Sequence, residues 1–272
     1  MTQIEKLTKL VSRIPNRSSI GIPPDYSFVP MEMIRALIRR KLSGLNITCV
    51  PIGGLGVDLL IGAGCVDRLE AAAVSLGEAG LAPQFTLEVI AGSIKMVDST
   101  CPAIHTGLQA AEKGVPFMPL GGLIGSDIVC YRKDWKVIED PLDKGCGRII
   151  LIPAIKPDFA VIHSPFGDKF GNVWVGKRRE LITLAHASAQ TLATVEKIIE
   201  KDLLADEILA AGTLSNIYVT AVSEVPLGAK PLPLTGSYEG NFEDIIAYAD
   251  LARSKNGFAE YAKKYIFDVP GE

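Results

Sequence analysis

The feature that most constrains the fold is a rhythm. Short β-branched runs alternate with segments whose apolar residues recur at helical spacing, and glycine or proline punctuates the joins. Residues 19–22 read as a first strand closed by Pro23 and Pro24, after which Met31, Ile34, Leu37, Ile38 and Leu42 recur as one helical face. Residues 47–50 read as a strand, 53–56 as a tight glycine turn, and Val57, Leu60 and Ile61 as a short helix ended by Gly62 and Gly64. The same alternation predicts a strand over 69–74, a helix over 86–90, a strand over 94–97, a helix over 102–111 capped by Gly114, and a strand over 115–118. In the second half, strands are expected at 148–152, 159–163, 195–199 and 217–225, and a turn at 167–171 before a short strand at 173–175. A helix is expected at 181–192, and one or two helices over 245–265 broken near Asn256-Gly257. Residues 226–240, rich in Pro and Gly, read as an extended surface segment. The whole predicts an α/β fold, a mainly parallel sheet flanked by helices. No linker, repeat or low-complexity tract divides it, so one domain over 1–272 is expected.

Composition narrows the function classes. Apolar residues are 48% and charged ones 22%, which suits a parallel sheet buried on both faces or a protomer with a covered surface. Twenty-eight basic residues against 31 acidic ones leave a net charge of -3, which argues against an electrostatic nucleic-acid binder. The N-terminal ten residues lack the apolar run of a signal peptide, and no apolar stretch approaches the ~20 residues a membrane span needs. A cytoplasmic location without a membrane partner is the expectation. Cys49, Cys65, Cys101, Cys130 and Cys146 are odd in number and widely spaced, so buried free thiols are expected rather than a disulfide framework or a zinc site.

Common motifs fail on inspection. The stretch from Gly171 to Lys177 has the outline of a phosphate loop, but Arg178 stands where a magnesium-binding Ser or Thr belongs. Gly54-Leu-Gly56 and Gly62-Ala-Gly64 lack the third glycine of a dinucleotide fingerprint, although such glycines let a backbone approach a phosphate. The three histidines show no metal-ligand spacing, and no metal is expected. His105 reads as a satisfied boundary residue on a helix; His163 ends a strand and is either near a ligand or structural. Glu78, between Gly77 and Ala79-Gly80, is either a loop charge or a cleft carboxylate able to act as base or nucleophile.

Several stretches, in this order, resemble the alpha chain of family I coenzyme A transferases, and within it the glutaconate CoA-transferase group. They are Gly56-Val-Asp58-Leu-Leu-Ile-Gly62-Ala-Gly64, then Gly80-Leu-Ala-Pro83, then the run from Gly107 to Pro119 leading into Gly125-Ser126-Asp127. Ile138-Glu-Asp-Pro141, residues 152–158, Asp168-Lys-Phe-Gly171-Asn172 and residues 222–231 complete the set. The resemblance covers most of residues 30 to 265.

It implies a NagB/RpiA/CoA transferase-like fold and ping-pong transfer of CoA from an acyl-CoA to a carboxylic acid through a glutamate nucleophile. In two-chain members that glutamate lies on the beta subunit, so a beta partner in a hetero-oligomer is implied, with CoA as substrate and product and no tightly bound cofactor. Gly21, Gly53, Gly54, Gly56, Ser75, Gly77, Ser126 and Asp127 are the residues expected to line the substrate cleft, with Glu78 as its carboxylate. Two departures stand out. Where relatives carry a glycine-rich oxyanion loop this chain has Ser19-Ile-Gly21-Ile-Pro23-Pro24-Asp25, and prolines have no N–H to donate, which leaves Gly21, Ile22 and Asp25. Leu120-Gly121-Gly122 replaces a Thr-Arg pair before Gly125. Some relatives are hydrolases that open CoA-linked ring intermediates of steroid breakdown with a carboxylate of the alpha-type chain. Here the corresponding helix start reads Ser99-Thr-Cys-Pro102, without a glutamate. A transferase role is therefore expected ahead of a hydrolase or a non-catalytic acyl-CoA-binding chain.

Overall fold

A computed structural model describes residues 2–142 and 147–268. Eight strands form one sheet in which every neighbouring pair is parallel. They are β1 (Gln3–Ile4), β2 (Ser19–Ile22), β3 (Leu45–Cys49), β4 (Val66–Ala71), β5 (Lys95–Asp98), β6 (Phe159–Ser164), β7 (Gln190–Val195) and β8 (Ala221–Glu224). Their order across the sheet is β1-β8-β7-β6-β2-β3-β4-β5. From β2 the chain winds outward through β3, β4 and β5. It then returns to place β6 on the other side of β2, so the order reverses between β2 and β6. A crevice opens at such a reversal, beyond the carboxyl ends of the strands.

Both faces are covered, which is why the strands read as near-continuous apolar runs. One face carries α1 (Leu7–Ser12), α2 (Met31–Arg39) and α3 (Leu55–Gly62). Their buried Leu10, Ile34, Leu37, Leu59 and Leu60 pack on Ile20, Ile47 and Leu69 of the sheet. Between β4 and β5 lies α4 (Pro83–Ile90). The other face carries α5 (Cys101–Glu112) and α6 (Arg179–Ala187), where Ile104, Leu108 and Leu184 pack on Ala160. The C-terminal helices α7 (Phe242–Leu251) and α8 (Lys255–Ala262) join the first core through Tyr248 and Phe258.

Some expectations shift. Strand 19–22 and most of the helices fall where periodicity places them. The helix expected over 181–192 ends at Ala187, and Leu192 belongs to β7. The strand expected over 217–225 begins only at Ala221, after a short turn of helix at Asn216–Tyr218. The break in the terminal helix falls at 252–254, where Ser254 caps α8 by accepting from Gly257 N. Residues 226–240 are not a surface strap: Ala229, Leu232 and Leu234 are buried in the core. An excursion between α5 and β6 builds an antiparallel three-stranded sheet from Phe117–Leu120, Arg148–Pro153 and Lys136–Glu139. Cys49 and Cys65 are buried as expected, whereas Cys101 and Cys130 are exposed; Cys146 lies outside the described residues.

Candidate functional site

The crevice is built where β2 ends. Pro23 and Pro24 stop the strand, and Asp25 turns its carboxylate across to the start of α3, where Oδ2 accepts from Leu55 N at 2.8 Å. The preceding residue, Gly54, is the N-cap and offers no side chain, so Asp25 satisfies an orphan donor of α3 from another segment. The fit requires glycine: a Cβ on Gly54 would collide with the Asp25 carboxylate. Burial pushes the Asp25 carboxyl up to about 6; the Leu55 N–H pulls it down, and the negative charge of Asp58 adds to the rise.

Asp58 lies beneath, fully buried on α3. It accepts from Phe85 N at 2.6 Å, Gln84 N at 3.3 Å and Tyr248 Oη at 2.5 Å, and so caps α4 and ties α7 to the core. Burial raises its carboxyl to about 6 against those three hydrogen bonds. Asp58 is a structural bracket.

The rim carries further polar side chains. Tyr26 is exposed, with its phenol raised by partial burial and by the charges of Glu180 and Cys101. Ser27 Oγ donates to Glu180 in the first turn of α6. Cys101 is the first residue of α5, and His105 follows one turn later on the same helix face. Burial holds the His105 imidazole below its ordinary value, with the charge of Glu180 opposing. The N–H groups of Asp25, Tyr26 and Gly54 make no hydrogen bond among the described residues, and they are candidate oxyanion donors.

The expected cleft residues divide into three groups. Gly53, Ser75, Gly77 and Glu78 come together on one rim. Ile52–Gly53 pairs with Ala73–Val74, Ser75 N donates to Gly53 O at 3.0 Å, and Ser75 Oγ accepts from Gly77 N at 3.0 Å. Gly54 adjoins them and seats Asp25. Glu78 stands exposed on a single turn, Gly77–Ala79. Gly21 and Gly56 face packing partners: a Cβ would run into Leu184 and Ile34 respectively. Ser126 and Asp127 belong to the excursion, where Ser126 Oγ donates to Leu123 O at 2.6 Å, and they make no hydrogen bond to the glycine rim.

His163 resolves as structural. It is fully buried, with Nδ1 2.8 Å from Thr194 Oγ1 and Nε2 2.7 Å from Glu196 Oε1. Glu196 in turn accepts from Leu227 N, Gly228 N and Tyr238 Oη, fastening residues 226–240 to the sheet. Burial pushes Glu196 up, but the hydrogen bonds from His163, Tyr238 and Leu227 outweigh it and hold the carboxyl below its ordinary range.

Residue-type reasoning missed the Asp25 carboxylate, counting only its amide, and it missed the grouping of Cys101, His105 and Glu180. An aspartate directly after a strand-ending Pro-Pro, with a Gly-Gly before a helix elsewhere, was the available signal for Asp25. Nothing local pairs α5 with α6.

A coenzyme A transferase family model matches residues 4–221. The chain belongs to the coenzyme A transferase family. It is 30% identical to the cholesterol ring-cleaving hydrolase IpdA subunit of Rhodococcus jostii over 87% of this chain and 82% of that one. An uncharacterized protein of Archaeoglobus fulgidus is 32% identical over 89% of this chain, which spans only 54% of that protein's length. Glutaconate CoA-transferase of Acidaminococcus fermentans is similar in both sequence and structure. Its A-type polypeptide is 26% identical over 88% of this chain and 79% of its own length. Its crystal structure superposes with a TM-score of 0.90 over 98% of this chain and 90% of that one, at 21% identity. The expected fold and family are thus those observed. Among the described residues no group of His, Cys, Asp and Glu could hold a metal ion, and no helix is long and apolar enough to cross a membrane.

Proposed function

We propose that this chain is the alpha-type component of a heteromeric CoA transferase, moving CoA between an acyl-CoA and a carboxylic acid, with the attacking glutamate supplied by a beta-type partner. One observation carries the reading. Among the described residues, each carboxylate that the fold brings to the crevice is either engaged or open to water. Asp25 accepts from Leu55 N, Glu180 accepts from Ser27, and Glu78 stands exposed on its turn. A nucleophilic carboxylate has to be kept from water and free to attack the thioester carbonyl. Among the described residues this chain offers walls and donors rather than that group.

In this reading the N–H groups of Asp25, Tyr26 and Gly54 stabilise the oxyanion that develops when the partner's glutamate attacks. Gly53, Ser75 and Gly77 shape the adjacent wall, with Glu78 at its edge, and the site closes only when the partner covers it. The test is reconstitution. The purified chain shows no CoA transfer between an acyl-CoA and a carboxylate, and co-expression with a beta-type chain restores it. Full transfer by this chain alone refutes the proposal. The 30% identity to a ring-cleaving hydrolase component supports a second reading, CoA-thioester hydrolysis. It predicts release of free CoA by the complex with no acceptor acid present; the transferase reading predicts that CoA leaves as the thioester of a supplied acceptor acid, and as free CoA only where an enzyme thioester leaks to water.

A further inference from the structure

A polar cavity of about 240 Å³ lies on the sheet face beneath α5, and its walls include none of the residues named above at the crevice rim. Its walls are Thr48 of β3, Arg68 and Glu70 of β4, Ser99, and Arg132, Asp134 and Trp135 of the excursion, with Lys156 at the approach to β6. Two of the lining residues carry a buried polar atom with no hydrogen-bond partner among the described residues: Ser99 Oγ and Trp135 Nε1. Each of the two residues is 7% exposed. An indole N–H can only donate, and a buried donor left unmade is costly.

The carboxylates in the wall already receive donors. Glu70 receives Arg68 and Arg132, each at 3.0 Å. Asp134 receives Arg132 Nε at 2.9 Å and Nη2 at 2.8 Å, and Asp98 O receives Arg132 Nη1 at 2.9 Å. Arg132 also lies over the Trp135 ring at 4.4 Å, which fixes the indole. The unmet capacity is therefore donor in character: Trp135 Nε1–H, the Ser99 hydroxyl, the remaining N–H groups of Arg68, and the Lys156 ammonium, which has no ion-pair partner among the described residues. Three cationic side chains against two carboxylates leave the wall net positive.

We propose that this cavity is a binding site for a small oxyanion, a carboxylate or a phosphate, that accepts from Trp135 Nε1 and Ser99 Oγ and balances the charge of Arg68 and Lys156. Anion binding here does not depend on the transfer chemistry. The experiment follows the two indole N–H resonances of the full chain, assigned by Trp174→Phe, while acetate, succinate and inorganic phosphate are added in turn at constant ionic strength. The Trp135 resonance shifts saturably with at least one of them and the Trp174 resonance stays in place; whichever arm saturates identifies the source. Ser99→Ala and Lys156→Gln, small or exposed changes that leave the fold intact, each weaken that binding about fivefold. A Trp135 resonance that ignores all three anions, or that moves no more than Trp174, overturns the proposal and leaves water as the partner of these donors. Unchanged affinity in both variants overturns it equally.

Discussion

Replacing Asp25 by asparagine isolates the titration of one carboxylate at the crevice. Asparagine keeps an oxygen to accept from Leu55 N, so the cap on α3 survives, while the ionisable proton is lost. In the folded chain burial lifts the Asp25 carboxyl from an ordinary 3.8 to about 6. A group whose pKa is raised on folding contributes stability that is complete below the unfolded value and disappears as pH climbs through the folded one. At about pH 5 the folded carboxyl is mostly protonated and the unfolded one mostly ionised, a roughly tenfold preference worth about 1.4 kcal/mol. By about pH 8 both are ionised and that contribution is gone. The wild-type chain should therefore lose about 1.4 kcal/mol more than Asp25→Asn between those two pH values, a difference of about 3 °C in Tm for a chain of this size. Denaturant titrations of both proteins at both pH values provide the assay. The other titrating groups are common to the pair and cancel in the difference, apart from the smaller charge coupling between Asp25 and Asp58. Equal losses in the two proteins would refute an Asp25 carboxyl titrating near neutrality.

Other perturbations reach neighbouring parts of the account. Tyr248→Phe removes a 2.5 Å hydrogen bond to buried Asp58 and should lower unfolding free energy by about 2 kcal/mol, read by urea denaturation. Gly54→Ala forces a Cβ against the Asp25 carboxylate and should cost about 1–3 kcal/mol; in an Asp25→Ala background the same change should cost less than about 1 kcal/mol, a coupling that a double-mutant cycle reads directly. Iodoacetamide under native conditions should label exposed Cys101 and Cys130 while sparing Cys49 and Cys65, whose thiols burial pushes up, the latter to about 11. Peptide mapping separates these sites, and rapid labelling of Cys49 would contradict the packing around β3.

Much of the layered architecture was legible because a doubly covered parallel sheet writes itself as β-branched runs and helical faces. Phe159, Ala160 and Val161 show this directly, since they alternate between two apolar covers. The limits appear where local pattern and tertiary packing part company. Leu192 continues the apolar spacing of a helix, yet its place beside Val161 and Ala221 makes it strand. Residues 226–240 carry turn-forming residues, yet Glu196 draws them onto the sheet through side-chain contacts that no local window contains. The site was legible in part for the same reason. Gly53, Gly54 and Ser75 follow strand ends that neighbour each other in the sheet, so strand order alone brings them together. Cys101, His105 and Glu180 come from helices joined by a long excursion, and only their packing on one sheet face reveals the group.

The central claim is that this chain holds half of an active site and that the covalent step occurs on its partner. Intact-mass measurement of both chains, after the assembled complex meets an acyl-CoA without acceptor acid, tests that claim most directly. The account predicts a CoA-sized adduct on the partner alone. An adduct on this chain, at Glu78 or Cys101 for example, would contradict it.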